Sequence, residues 1–305
     1  MPLLTDLPDI ALRKVLEKLD FVSVQCLRKT CHDLRNFIDD ANVVSTLTEA
    51  YVVLVPNSIS LELTFPSLEN QIRYENNDGS DFATVAFRDL ESMLRNQKTA
   101  LNSFRIDFLL GQLLENFPGS FKRCVKTRRF QTTVINQDEI MSVLPIIDEE
   151  HLSEIHINNM IVKKFNVLEL DQIKRTKQWK QCETVRILEF LVETPIQDFF
   201  HFKNVHVTYK RVTKEMVVEL KEAFLISSHM ECFQISFKVN AHEQQLIDLY
   251  GPLFLIDMPL GRVERKRFFQ TSEANQVLVI SLFSEHVRLN RMSSELMPFG
   301  AVAFP

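Results

Sequence analysis

Apolar positions cluster first over residues 7–38. Pro8 suits the first turn of a helix, where its missing N–H costs nothing, and Asp6 and Asp9 favour the positive end of the helix dipole. A helix over about 8–19 follows, with Leu12, Val15, Leu16 and Leu19 within one third of the wheel and Leu7 and Ile10 off that stripe. Ser23 reads as the N-cap of a second short helix, preceded by Phe21, in which Val24, Leu27 and Cys31 share a face. A third segment carries Leu34, Phe37 and Ile38 before the acidic stop Asp39-Asp40. About forty residues in three short helices cannot bury so many apolar groups among themselves. The surplus surface docks either on the rest of the chain or on a partner.

The period then changes. "YVVLVP" and "ISLEL" read as short strands, "QIRYENNDGS" ends in a turn signal, and "VAFRDLESMLRNQKTAL" reads as a helix with Phe87, Leu90 and Leu94 on one side. Apolar alternation at period two returns over 103–109, 129–135, 153–158, 184–190, 204–210, 232–239 and 277–283. Helical stretches lie between, clearest in "QDEIMSVLPIID", "TKEMVVELKEAFLIS" and "HEQQLIDLYG". Strand and helix alternating every 20–30 residues or so is the period of a leucine-rich-repeat-like solenoid, here without the asparagine ladder of that class. A doubly wound α/β domain is the competing architecture, but it brings glycine-rich turns and the chain has six glycines. The expected fold class is α+β or α/β: three N-terminal helices, then a degenerate β/α solenoid. The expected segments are 1–42, a transition region at 43–102 packed on the solenoid, the solenoid at 103–290, and a tail at 291–305.

In such a solenoid one sheet face packs on the helices and the other faces the ligand. Alternation buries Phe104, Ile106, Ile155, Ile157, Val205, Val207, Tyr209, Phe233, Ile235 and Phe237. It leaves Arg105, Asp107, Gln131, Thr133, Glu154, His156, His206, Thr208, Gln234, Ser236 and Lys238 on the open face, either as plain solvated surface or as a target-binding row.

Composition narrows the function classes. Lys plus Arg total 35 against 40 for Asp plus Glu, a formal charge of −5, which argues against generic nucleic-acid or anionic-membrane binding. No apolar run approaches the roughly 18 residues that span a bilayer, and no signal-peptide pattern opens the chain. The five cysteines, Cys26, Cys31, Cys124, Cys182 and Cys232, lack CxxC pairing, which fits a reducing cytoplasmic or nuclear compartment.

His151 with His156, and His201 with His206, stand five apart, a poor spacing for metal ligands. Cys31 reads as small apolar filling, and Asp148-Glu149-Glu150 as a solvated turn. Neither a GxSxG elbow nor a GxxxxGK[ST] loop is present, so no enzyme, cofactor or metal is expected. The basic stretches "FKRCVKTRRF", with Lys122, Arg123, Lys126, Arg128 and Arg129, and "GRVERKRFFQ", with Arg262, Arg265, Lys266, Arg267, Phe268 and Phe269, fit strand entries, an RNA grip, or the selection of an acidic protein partner. The negative net charge favours the strand reading.

The run Leu7-Pro8, Leu12, Val15-Leu16, Leu19, Phe21-Val22-Ser23, Leu27-Arg28, Thr30-Cys31 and Leu34 resembles an F-box over about residues 3–42. Within that class, "LRKVLEKLDFVSVQCLRKTCHDLRNFIDD" resembles the nematode-expanded F-box A family, whose members carry a C-terminal FTH domain. The region around 130–265 is similar to that domain. The resemblance implies binding to a Skp-family adaptor, and through it to a cullin–RING ubiquitin ligase of the SCF type. It maps the adaptor contacts onto Leu7, Pro8, Ile10, Leu12, Val15, Leu16, Leu19, Val24 and Leu27, with Leu34 standing where many F-boxes have Trp. The C-terminal domain would then hold a protein target. A non-degradative scaffold joining the adaptor to an RNA-binding or signalling protein is the alternative.

Overall fold

The structure is a computed structural model, describing residues 4–19, 21–41, 47–66, 68–75, 82–95, 97, 99–109, 124–161, 166–238, 253–258 and 262–304. It is mixed α/β with strand predominating over helix, and it forms two compact units: Met1–Thr132 with Glu139–Leu152, and Thr133–Asp138 with Ser153–Pro305.

The first unit opens with three helices, α1 (Asp9–Leu16), α2 (Phe21–Arg28) and α3 (His32–Ala41). Pro8 is the N-cap of α1, and its carbonyl accepts from Ala11 and Leu12 at 2.8 and 3.0 Å. Ser23, expected as a cap, lies instead inside the first turn of α2. Starting the helix earlier brings Val24 into a core with Leu16 and Ile38, against which Leu19, Leu27 and Phe37 pack. A cap contributes about 1 kcal/mol and a buried Val about 1.5–3, so packing decides the boundary. The acidic pair likewise fails to end α3. Arg28 donates to both carboxylate oxygens of Asp39 at 2.8 and 3.1 Å, which offsets the unfavourable placement of an acid near a helix C-terminus.

Residues 43–102, expected as a transition region, supply β1 (Glu49–Val55), β2 (Ser58–Phe65), β3 (Leu68–Glu75) and α4 (Phe82–Arg95). With β4 (Leu101–Phe108) and β5 (Thr127–Val134) the strand order is β5-β4-β1-β2-β3, with β1 parallel to β4 and antiparallel to β2. The helix α4 turns Phe87, Leu90 and Met93 inward, while Leu94 is only half-buried. A short α5 (Gln137–Val143) follows β5.

One carboxylate ties these pieces together. Asp89 on α4 is 6% exposed, accepts from the Tyr74 hydroxyl at 2.9 Å, and has Arg28 and Lys29 of the helical module each at 3.8 Å. Burial, together with that carboxylate, pushes the Tyr74 phenol well above its ordinary value.

In the second unit β6 (Glu154–Asn159), β7 (Thr184–Leu188), β8 (Asn204–Tyr209) and β9 (Cys232–Phe237) pair in parallel, in sequence order. Their connections carry α6 (Lys177–Gln181), short 3₁₀ turns and α7 (Lys214–Ile226), which Thr213 caps through the Met216 N–H. Trp179 packs edge-on against Phe199 and Phe202, with ring centroids 5.8 and 4.9 Å away. One buried asparagine bridges successive connections: Asn159 donates to the Glu189 carbonyl at 3.0 Å and accepts from Ile161 N–H at 2.9 Å. Glu189 holds φ at 63°, a left-handed conformation in a non-glycine residue.

The parallel pattern expected to continue toward residue 290 stops at Phe237. Beyond β9 the sheet continues antiparallel, in the order β9-β13-β12-β11-β10, through β10 (Phe254–Met258), β11 (Arg262–Gln270), β12 (Gln276–Leu282) and β13 (His286–Ser293). The tail expected at 291–305 is partly sheet as well. β13 runs to Ser293, and β14 (Ala303–Phe304) pairs with β11, bringing Met297 and Ala301 onto Phe268, Val277 and Val279. The helix expected in "HEQQLIDLYG" lies outside the described residues.

Replacing Asp89 with Ala should lower unfolding free energy by about 1–3 kcal/mol, since it leaves the Tyr74 hydroxyl without its acceptor. Urea denaturation followed by circular dichroism checks this; an unchanged midpoint would show that the carboxylate does not tie the helical module to α4.

Candidate functional site

Three surfaces carry the residues singled out from sequence. On the helical module, Leu12, Leu16, Val24 and Leu34 are buried, and Val15, Leu19 and Leu27 are half-buried. The four buried side chains are covered by their own chain, whereas Val15, Leu19 and Leu27 keep part of their surface open. Leu7, Pro8 and Ile10 remain open, Ile10 at 73% exposure. Cys31 is corrected: it is exposed, and its sulfur accepts from the Leu34 N–H at 3.5 Å at the start of α3.

On the first unit's sheet, the expected target contacts Arg105 and Asp107 are engaged with each other. Asp107 is buried, accepts from the Tyr51 hydroxyl at 2.8 Å, and receives two bonds from Arg105 at 2.6 and 3.2 Å. The Arg105 guanidinium also lies over the Tyr51 ring, 4.5 Å from its centroid. Burial, then the bond to Asp107, pushes the Tyr51 phenol up to about 12. Alternation placed Asp107 correctly on the non-core face, yet the pairing removes it from solvent. Arg105 and Gln131 border a groove of ≈ 480 Å³ together with Glu49, Glu62 and Glu69.

The second unit's sheet brings together a row that pairing registers define strand by strand. His156 on β6 is level with Arg186 on β7, Arg186 with His206 on β8, His206 with Gln234 on β9, and Gln234 with Arg288 on β13. A second row joins Thr208, Ser236 and His286. Behind them Ile155, Val185, Val205, Phe233 and Leu289 fill the opposite face. Thr208 is buried, not open, and Lys238 lies one residue past the end of β9. Thr133, Glu154, Gln234 and Ser236 are half-buried. Sequence reading omitted Arg186, although it occupies a polar position of "TVRILEF". It omitted Arg288 and His286 because β13 was not recognised as a strand.

His206 is the chemical centre of this row. The Gln234 amide nitrogen lies 3.2 Å from its Nε2, and the Ser236 hydroxyl lies 3.2 Å from the same atom. An amide nitrogen only donates, so Nε2 accepts and the ring proton is assigned to Nδ1. Burial first, then the positive charges of Arg186, His286 and Arg288, lowers the His206 value to about 4. His286, stacked on Phe283 at 4.1 Å, is also lowered, by burial first and then Arg288. Arg186 and Arg288 are exposed, and neither has a carboxylate partner among the described residues.

The remaining candidates fall into structural roles. His151 bonds Asp148 at 2.8 Å in an exposed turn, His156 lies 3.2 Å from Glu154, and His201 bonds the Trp179 carbonyl at 3.1 Å. Among the described residues no group of His, Cys, Asp and Glu is arranged to hold a metal. In "GRVERKRFFQ" Phe268 and Phe269 are buried, Lys266 pairs with Glu264 at 3.0 Å, and Arg267 stacks on Phe304 at 3.3 Å, while Arg262 opens β11 and Arg265 is half-buried. In the other stretch Lys126 and Arg128 are exposed and Arg129 half-buried, whereas Lys122 and Arg123 lie outside the described residues.

Comparison with known proteins matches residues 4–46 to the F-box domain and residues 111–252 to the FTH domain. F-box A protein 224 of Caenorhabditis elegans is 21% identical over 318 aligned residues, covering 96% of this chain and 80% of that protein. No solved structure matches the chain. The FTH match contains His206, Gln234 and Ser236, whereas Arg288 and His286 come from beyond it on a strand paired to β9.

Because the folded-state value of His206 lies below its ordinary 6.5, the unfolded chain takes up the proton first. Stability present above about pH 6.5 is therefore lost as pH falls toward 4. An NMR titration should find the His206 imidazole still neutral at about pH 5.5, and the double change Arg186→Gln, Arg288→Gln should raise its midpoint. Titration near 6.5 in the parent would contradict the geometry.

Proposed function

We propose that this chain, a protein with an N-terminal F-box and an FTH domain, is the target-recognition subunit of an SCF-type ubiquitin ligase. In this reading α1 to α3 adopt the three-helix F-box arrangement and bind a Skp-family adaptor, which links the chain to a cullin. The parallel strands β6 to β9 and their connections act as a degenerate leucine-rich-repeat-like array whose open sheet face meets a protein target. The protein performs no bond chemistry itself. It raises the effective concentration of the target near a ubiquitin-charged enzyme.

The observation that carries the adaptor contact is the split of apolar residues in the helical module. Leu16, Val24 and Ile38 close a core, yet Leu7 at 39% and Ile10 at 73% exposure stand outside it. Burying a Leu or Ile side chain fully contributes about 1.5–3 kcal/mol, so two such residues on one edge make an anchoring point for a partner.

The double change Leu7→Asp, Ile10→Asp should abolish co-purification with a recombinant Skp-family adaptor while leaving the melting profile unchanged, because neither side chain belongs to the core. Retention of the adaptor at the parental level would overturn the proposal.

A further inference from the structure

We infer that the row running from Arg186 to Arg288 across the second unit's sheet is a docking site for an acidic, extended segment of a protein target. This inference rests on the reading of the chain as a target-recognition subunit and specifies the chemistry of the target.

The first ground is charge placed by register. Arg186 and Arg288 lie on the same face, level with His206 and Gln234 between them. Lys266, on the same face, is matched by Glu264 at 3.0 Å. Arg186 and Arg288 are left as exposed guanidiniums in a chain whose formal charge is −5. Local charge opposite to the net charge, on a face otherwise polar, is what electrostatic recognition of an acidic partner requires.

The second ground is spacing. Three strand-to-strand steps separate the two arginines, β7 to β8 to β9 to β13, which at roughly 4.8 Å each is about 14 Å. An extended peptide advances about 13 Å between residues i and i+4, so acids four apart along a strand-like segment meet both guanidiniums at once. Between them Gln234, whose amide gives one N–H to His206, retains a second N–H and a carbonyl that can serve the peptide backbone. His206, held neutral by burial and by the same two arginines, adds no charge of its own at neutral pH.

The row also disfavours nucleic acid. Among the described residues it offers no freely exposed aromatic ring for base stacking, since His286 is half-buried against Phe283, and Glu154 and Glu264 border it with negative charge.

The test selects random twelve-residue peptides by phage display on the purified full chain, without an adaptor, so its outcome is independent of adaptor binding. The selected pool should be enriched in Asp and Glu, with pairs about four residues apart. The best peptide, labelled with a fluorophore, is then titrated by anisotropy. Its Kd should rise at least about fivefold in Arg186→Gln, Arg288→Gln, should weaken with added salt, and should be unchanged in the exposed-site control Arg211→Gln. A pool without acidic enrichment, or a smaller rise in the double variant than in that range, would overturn the inference. So would a labelled oligouridine that binds more tightly than the selected peptide and loses binding in the same variant, which would give the surface to RNA. Should the adaptor contact fail its own test while acidic peptides still bind here, the target chemistry stands and only the ligase assignment falls.

Discussion

The second unit depends on a register. Ile155, Val185, Val205 and Phe233 stand side by side on successive parallel strands, each essentially sealed from water. Side chains alternate with period two, so a slip of one residue on any strand would drive Arg186, His206 or Gln234 into that core and expose its apolar neighbour. Burying a charged or hydrogen-bonding group without a partner costs several kcal/mol, comparable to a large part of a domain's net stability. The packing of one face therefore dictates the chemistry of the other. The row of Arg186, His206, Gln234 and Arg288 is aligned because the residues behind it must be.

Charge in this protein is used in two distinct ways. In the first unit it is internal. Asp89 collects Tyr74, Arg28 and Lys29, and Asp107 collects Tyr51 and Arg105, so that polar groups on or near the sheet are consumed in joining elements of the same unit. The second unit's sheet instead leaves two arginines outward, and their influence is registered by the lowered value of His206 between them. Identical residue types at equivalent alternating positions, Arg105 and Arg186, thus serve structure in one place and surface in the other. The nearby carboxylate makes the difference: Asp107 follows Arg105 two residues along its strand, and Leu188 occupies the same place after Arg186.

The C-terminal strands show how a run of parallel strands can be ended. β13 enters antiparallel beside β9 and continues its face with Arg288 and His286, although the FTH match ends well before it. Arg291, on the same strand, donates to the carbonyls of Phe224, Ser227 and Met230 and so covers the C-terminal end of α7. The terminating strand closes the exposed edge of β9, satisfies a helix end and supplies charge to the row.

Much of this was legible along the chain. Alternation located β4 to β9 and β12 to within two or three residues at their ends. It also assigned the inward set with few exceptions, because a half-buried strand must repeat every second residue whatever surrounds it. The three N-terminal helices were equally readable, and the off-stripe residues Leu7 and Ile10 are the exposed ones. What escaped were β10 and β13, the latter because the polar-rich alternation of "HVRLNRMS" is weak, while "RVERKRFFQ" was legible as a strand entry although its charged residues pair or stack only after folding. Local sequence determined which residues turn inward, since that depends on backbone period and side-chain polarity alone. Tertiary structure decided which polar residues remain available: Asp107 is lost to Arg105 and Tyr51, whereas Arg186 and Arg288, more than a hundred residues apart in sequence, are brought into one row by strand pairing.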